Sequence, residues 1–202
     1  MVEALNMNEL NSKIRTRYDY DEQRVVGIML ARYGVGLTDE IVEQCYLYWH
    51  LNARKYLDVF WAGYGKYLCP DEESATKQIL KFKGNDSRVY FDLEAFIDIK
   101  DQFNDCFKTP YEDRLQLILV NYREGRLHFD ESLKIDLEEN VDANFAKIRK
   151  IMEFVIRECR SEHEVSPIAK KLMTDKVMDA IKGITISDVI GTVLGIAGLI
   201  PR

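Results

Sequence analysis

Hydrophobic positions follow two rhythms along this chain, and the rhythms separate strands from helices. Val25-Val26-Gly27-Ile28-Met29-Leu30-Ala31 is uncharged throughout and short, which predicts a strand buried on both faces. Leu57-Asp58-Val59-Phe60-Trp61-Ala62 predicts a second such strand, ending at Gly63-Tyr64-Gly65. Between them Gly34 and Gly36 break the chain, and Thr38 can cap a helix. Asp39 and Glu40 then fall in its first turn, where acids favour the helix dipole. Ile41, Cys45, Trp49, Asn52 and Tyr56 recur near helical spacing. A strand, helix and strand in this order imply two parallel strands joined by a right-handed crossover.

The remainder divides in the same way. Residues 2–18 read as a polar, moderately amphipathic helix, a docking arm ahead of the core. The stretch 66–87 is polar and loop-like, with a short strand at 78–83. A strand at 88–91 leads into a helix capped by Asp92 and reaching about Phe107. Pro110 precedes a central strand over 115–122, and Glu124-Gly125 forms the tight turn of a hairpin. The returning strand alternates: Leu127, Phe129, Leu133, Ile135 and Leu137 on one face, His128, Asp130, Ser132, Lys134 and Asp136 on the other. One wet face predicts an edge strand. Val141, Phe145, Ile148, Met152, Val155 and Cys159 form one seam of a following helix, which should close a face of the sheet. Pro167 suits the first turn of another helix, which Gly183 ends.

The expected fold is therefore α/β, in the element order α-β-α-β-β-α-β-β-α, with a mixed sheet of about four to five strands in a three-layer sandwich. The predicted divisions are an arm over 1–20, a core over 21–160 and a helical tail over 161–202. The core order βαβ–α–ββα resembles thioredoxin-like topology, and a generic mixed-sheet sandwich shares it. A thioredoxin-like enzyme carries a low-pKa thiolate at the first strand–helix turn. Here that turn reads Tyr33-Gly34-Val35-Gly36-Leu37-Thr38-Asp39, without cysteine.

Composition narrows the functions. The chain has 202 residues, 47% hydrophobic and 31% charged, enough apolar surface to fold without disulfides or metal. Its net charge of -6 and interleaved lysines and arginines oppose a nucleic-acid role, because phosphate neutralisation dominates that affinity. Cys45, Cys69, Cys106 and Cys159 form no CxxC pair and read as free thiols, buried except for Cys69. His50, His128 and His163 are too dispersed to suggest a zinc site. Met1 to Lys13 carries Glu3 and Glu9 and no signal-like apolar run, so a cytoplasmic location is expected.

Three features could carry chemistry. Gly34-x-Gly36 begins like a dinucleotide fingerprint, but Asp39 occupies the third glycine position, where a pyrophosphate would need neutral backbone. The segment 46–67 is crowded with aromatics that serve either as core or as a stacking pocket. A ligand site near the ends of the first two strands would draw on Gly34, Gly36, His50, Arg54, Asp58, Tyr64 and Lys66. Glu94, Asp98, Asp101 and Asp105 spread over three helical turns, a solvated face rather than a metal cage.

The tail 184–201 is apolar nearly all round. Ser187 or Asp188 can cap a helix over 189–200, whose twelve residues reach only about 18 Å against a hydrocarbon core of about 30 Å. Val189, Gly191, Leu194, Gly195 and Gly198 would form its interface, with Gly191 and Gly195 permitting close helix approach. Burial against its own domain, against another protein chain or in a membrane are all open. The leading expectation is a non-catalytic interaction or assembly module that needs no cofactor or metal and meets a second copy or a protein partner. A small-ligand-binding or enzymatic domain is the alternative, and an effector with a membrane-active tail is a third.

Overall fold

The computed structural model describes residues 2–4, 6–35, 38–39, 41–42, 49, 52–53, 55–66, 78–81, 88–107, 111–137, 141–174 and 185–189. The double-sided apolar run becomes β2 (Arg24–Leu30), with every residue from Val25 to Leu30 buried. It pairs in parallel with β3 (Val59–Ala62) and along its whole length antiparallel with β7 (Gln116–Arg123). β7 continues antiparallel into β8 (Arg126–Asp136). These central strands make a mixed sheet in the order β3-β2-β7-β8, within an α/β chain.

The sheet is wider than the periodicity implied. Among the described residues its nine strands run β5-β6-β4-β1-β3-β2-β7-β8-β9, adding β1 (Val2–Ala4), β4 (Tyr64–Lys66), β5 (Gln78–Lys81), β6 (Arg88–Phe91) and β9 (Thr185–Val189). Three of these correct the sequence reading. Val2–Ala4 is a strand parallel to β3, and the helix of the expected arm, α1, starts only at Met7 and ends at Arg17. Three residues are too few to show a period-2 pattern. α1 is also packed down, with Leu10, Ile14 and the adjoining Tyr18 buried. The Gly63-Tyr64-Gly65 break is a turn that reverses into β4, so Tyr64 lies within the sheet. β8 is not an edge, because β9 covers its outer side.

β8 also departs from simple alternation. Val120 pairs with Ser132 while the next residue, Asn121, pairs with His128, so 129–131 have no partner in the β7 ladder. An insertion of odd length exchanges the two faces of a strand. Leu127 therefore shares a face with Tyr122, and His128 one with Leu133 and Ile135. Three of the five polar alternates are buried all the same: His128, Ser132 and Lys134 are 7%, 0% and 2% exposed, whereas Asp130 is exposed and Asp136 partly so.

Thr38 is itself helical rather than a cap, and its buried hydroxyl has no hydrogen-bond partner among the described residues. Several other local predictions hold there. Glu124 and Gly125 take φ 51° and 73° in the β7–β8 turn, the left-handed pair of a tight hairpin. Asp92 caps α2 (Leu93–Asn104), its side chain accepting from Ala95 N at 3.1 Å. Phe96, Ile99 and Phe103 of α2 are buried, and Glu94, Asp98 and Asp101, with Asp105 just beyond its end, are exposed. Gly63, at φ 78°, lies where a Cβ would come within 2.6 Å of the Phe96 Cβ, and its carbonyl accepts from Asp92 N. That close approach fixes the start of α2 against the end of β3.

α3 (Val141–Glu158) buries Ile148, Met152 and Val155 and delivers Cys159 to the core, as its seam requires. Ile151, Phe154 and Ile156 broaden that stripe. α4 (Val165–Thr174) has Pro167 in its first turn, and Gly183 lies outside the described residues. Cys106 corrects the expectation of buried thiols, being exposed, whereas Cys159 is buried; Cys45 and Cys69 lie outside the described residues.

Val155→Asp puts a carboxylate into a fully buried position and should cost several kcal/mol, abolishing soluble expression. Arg157→Asp changes an exposed side chain and should leave the yield and melting temperature near those of the parent. Equal yields and melting temperatures for the two proteins would contradict this placement of α3.

Candidate functional site

In open α/β sheets ligands favour the carboxyl ends of parallel strands. Here the corresponding ends of β2 and β3 are filled by the protein's own groups. Tyr64 is fully buried and donates its hydroxyl to the Ala31 carbonyl at 2.8 Å, tying the end of β2 to the turn after β3. Its ring lies 5.5 Å from Trp61 and 5.0 Å from Phe91, and Phe91 continues to Tyr33 and Phe96. The Trp49 ring lies 5.9 Å from that of Trp61. These aromatics are core.

The turn after β2 is closed by polar contacts. Arg32 forms an ion pair with Asp113 and its backbone N–H donates to the Tyr111 hydroxyl. Gly34, exposed at φ 88°, donates its N–H to Asp39 Oδ1 at 2.7 Å. Asp39 thus satisfies the turn from within, in the place a bound anion would occupy.

Asp58 lies at the opposite end of β3. Its side chain is 3% exposed and is held by Arg17 through Nε and Nη2, both at 2.8 Å, and by the Tyr18 hydroxyl at 2.7 Å. Arg24 Nη2 approaches to 3.9 Å, and the Arg24 guanidinium sits 4.5 Å from the centre of the Tyr18 ring. Burial and the neighbouring carboxylate push the Tyr18 phenol well above its ordinary range, so it stays a donor. Asp58 and Tyr64 are therefore at opposite ends of one strand and do not converge. Lys66 belongs to β4, and Gly36, His50 and Arg54 lie outside the described residues.

Of the expected tail interface, Val189 ends β9, opposite Leu133 of β8. Ser187 and Asp188 are strand residues rather than helix caps, because Thr185 to Val189 forms a ladder with β8. Gly191, Leu194, Gly195 and Gly198 lie outside the described residues.

A polar cluster missed by the periodicity surrounds the insertion in β8. Asn121 donates from Nδ2 to Glu131 at 2.8 Å and accepts from Val165 N at 2.8 Å, which satisfies the first turn of α4. Arg123 pairs with Glu131 at 2.9 Å, and His128 Nε2 lies 3.3 Å from the Arg123 carbonyl. Asn121, one of two uncharged amides in the apolar run 115–122, was the available signal: a buried Asn needs partners. The hydrogen bond from Asn121, aided by Arg123 and opposed by burial, holds the Glu131 carboxyl below the usual carboxylate range.

Among the described residues no group of three or more His, Cys, Asp or Glu side chains could hold a metal ion, and no helix is long and apolar enough to cross a membrane. No family model, curated protein or solved structure matches this chain.

Because the folded Glu131 pKa is depressed, its stabilising contribution is present above the unfolded pKa and lost as pH falls through the folded value. Glu131→Gln should therefore melt lower than the parent near neutrality, with the gap shrinking below about pH 4. Melting curves across that range test it. A gap independent of pH would contradict the assignment.

Proposed function

We propose that the chain is a non-catalytic interaction and assembly module, a thioredoxin-like three-layer frame without the redox turn. The parallel β3–β2 pair, continued antiparallel through β7 and β8, supports the topological part of this reading. Contacts on the two faces of the sheet support the layering. Tyr18 meets Tyr122 on one face, and α4 is held through Asn121 on the other.

The observation that carries the functional part is β9. Its pairing with β8 fixes residues 185–189 to the sheet, and the sequence directly after them is apolar. That segment contains Ile190, Val193, Leu194, Ile196, Leu199 and Ile200, each worth roughly 1.5–3 kcal/mol if buried. The proposed burial is against a second copy of the chain. The Tyr64–Ala31 bond and the Gly34–Asp39 bond weigh against the alternative, a ligand site at the first two strand ends, since a ligand would have to replace both.

Removing residues 190–202 while keeping β9 should leave a folded monomer with an unchanged melting temperature, whereas the full chain should run as a larger particle by light scattering. An unchanged particle mass would overturn the proposal. A monomeric full chain that loses stability on truncation would mean that the segment packs on its own domain.

A further inference from the structure

A cavity of about 290 Å³ opens between the chain entering β2, the turn before β3 and the exit from α3. It lies at the Asp58 end of the sheet, away from the strand ends that were the sequence-based candidate. Its charged lining is Glu22, Arg24, Lys55, Arg160 and Glu162, with His163 beside them.

Both carboxylates of this lining are already held. Glu22 pairs with Arg24 at 3.0 Å, and Glu162 with Lys171 at 2.8 Å. Among the described residues Lys55 and Arg160 have no carboxylate partner. Both instead lie over the ring of Tyr56, Lys55 Nζ at 5.4 Å from its centre and the Arg160 guanidinium at 4.7 Å. One ring thus gathers two cations at the wall of the cavity, and His163 adds a donor. In a chain of net charge -6, this is a concave surface where positive charge exceeds negative.

Two neighbouring cations with no carboxylate partner favour an anion that can neutralise both. An arginine fork supplies paired N–H donors and a lysine adds a point charge, a combination that suits phosphate oxygens. The volume falls just below the ~300–1,000 Å³ usual for ligand pockets, which limits the ligand to a phosphate on a small carrier.

We infer that this cavity binds a small phosphate monoester through Arg160 and Lys55, with His163 at its rim. The cavity is lined by none of residues 190–202, so either proposal can fail without the other. Cys159 also lines the cavity but supplies no nucleophile there, because burial pushes its thiol up to about 12.

Calorimetric titration of the full chain at low salt with inorganic phosphate, ribose 5-phosphate, ribose and succinate tests the inference. Both phosphates should bind and ribose should not, with succinate weaker than either. Arg160→Ala and Lys55→Ala, at exposed side chains, should each weaken phosphate binding by about tenfold or more. Arg149→Ala, at an exposed arginine paired with Glu153, should leave it unchanged. Three results would overturn the inference: no binding of either phosphate at millimolar concentration, equal binding by the parent and the Arg160 variant, or succinate binding as tightly as phosphate.

Discussion

The buried carboxylate of Asp58 is the constraint on which the arrangement of this chain depends. A charge withdrawn from water costs several kcal/mol unless it is paired and hydrogen-bonded, so three side chains must be brought to it. Arg17 and Tyr18 come from the end of α1, and Arg24 from the first residue of β2. The Asp58 carbonyl also accepts from Gly27 N at 2.9 Å, beside the Gly27–Val59 register of the parallel pair. One residue thus docks the amino-terminal helix, pairs with arginines at the edge of the core and sets the alignment of the two parallel strands. Tyr122 adds a second tie on the same side, its ring 5.0 Å from Tyr18 and its hydroxyl 3.1 Å from the Asp19 carbonyl.

Much of the central sheet was legible because burial on both faces leaves a plain mark in sequence. The runs that became β2, β3 and β7 carry few polar residues, and the hairpin was announced by Glu124-Gly125. The helical seam of α3 was equally clear, since Ile148, Met152 and Val155 recur at the spacing of a single stripe. What escaped was either short or non-local. Val2–Ala4 and Tyr64–Lys66 are three-residue strands whose place depends on pairing with distant chain. The faces of β8 exchange at 129–131, and only the β7 register reveals it. Thr185–Val189 looked like the start of an apolar helix because its alternation is brief and runs into a uniformly apolar segment.

The candidate site was less legible, for a physical reason. Asp58 was read as a polar group of a ligand site near the first two strand ends, but its partners Arg17 and Tyr18 are about forty residues away and no local spacing points to them. Tyr64 was noticed for its position after a parallel strand, yet its hydroxyl serves the neighbouring backbone. Both ends of β3 are thus engaged in holding the fold together. Binding is therefore proposed elsewhere: along the apolar sequence that follows β9, and in the cavity where Tyr56 gathers Lys55 and Arg160. The first would serve assembly and the second a small anion, and the two share no residue.

A double-mutant cycle between Arg17 and Asp58, measured by urea unfolding, tests most directly whether this carboxylate is structural. Arg17→Met keeps much of the aliphatic stem and Asp58→Asn keeps the shape, so the cycle isolates the ionic contact. Although the Arg17 side chain is 40% exposed and partly screened, its two bonds to a buried carboxylate predict a coupling of about 1–2 kcal/mol. Asp58→Asn alone should destabilise the protein. A coupling below about 0.3 kcal/mol, together with an Asp58→Asn protein as stable as the parent, would contradict the account and leave Asp58 free for another role.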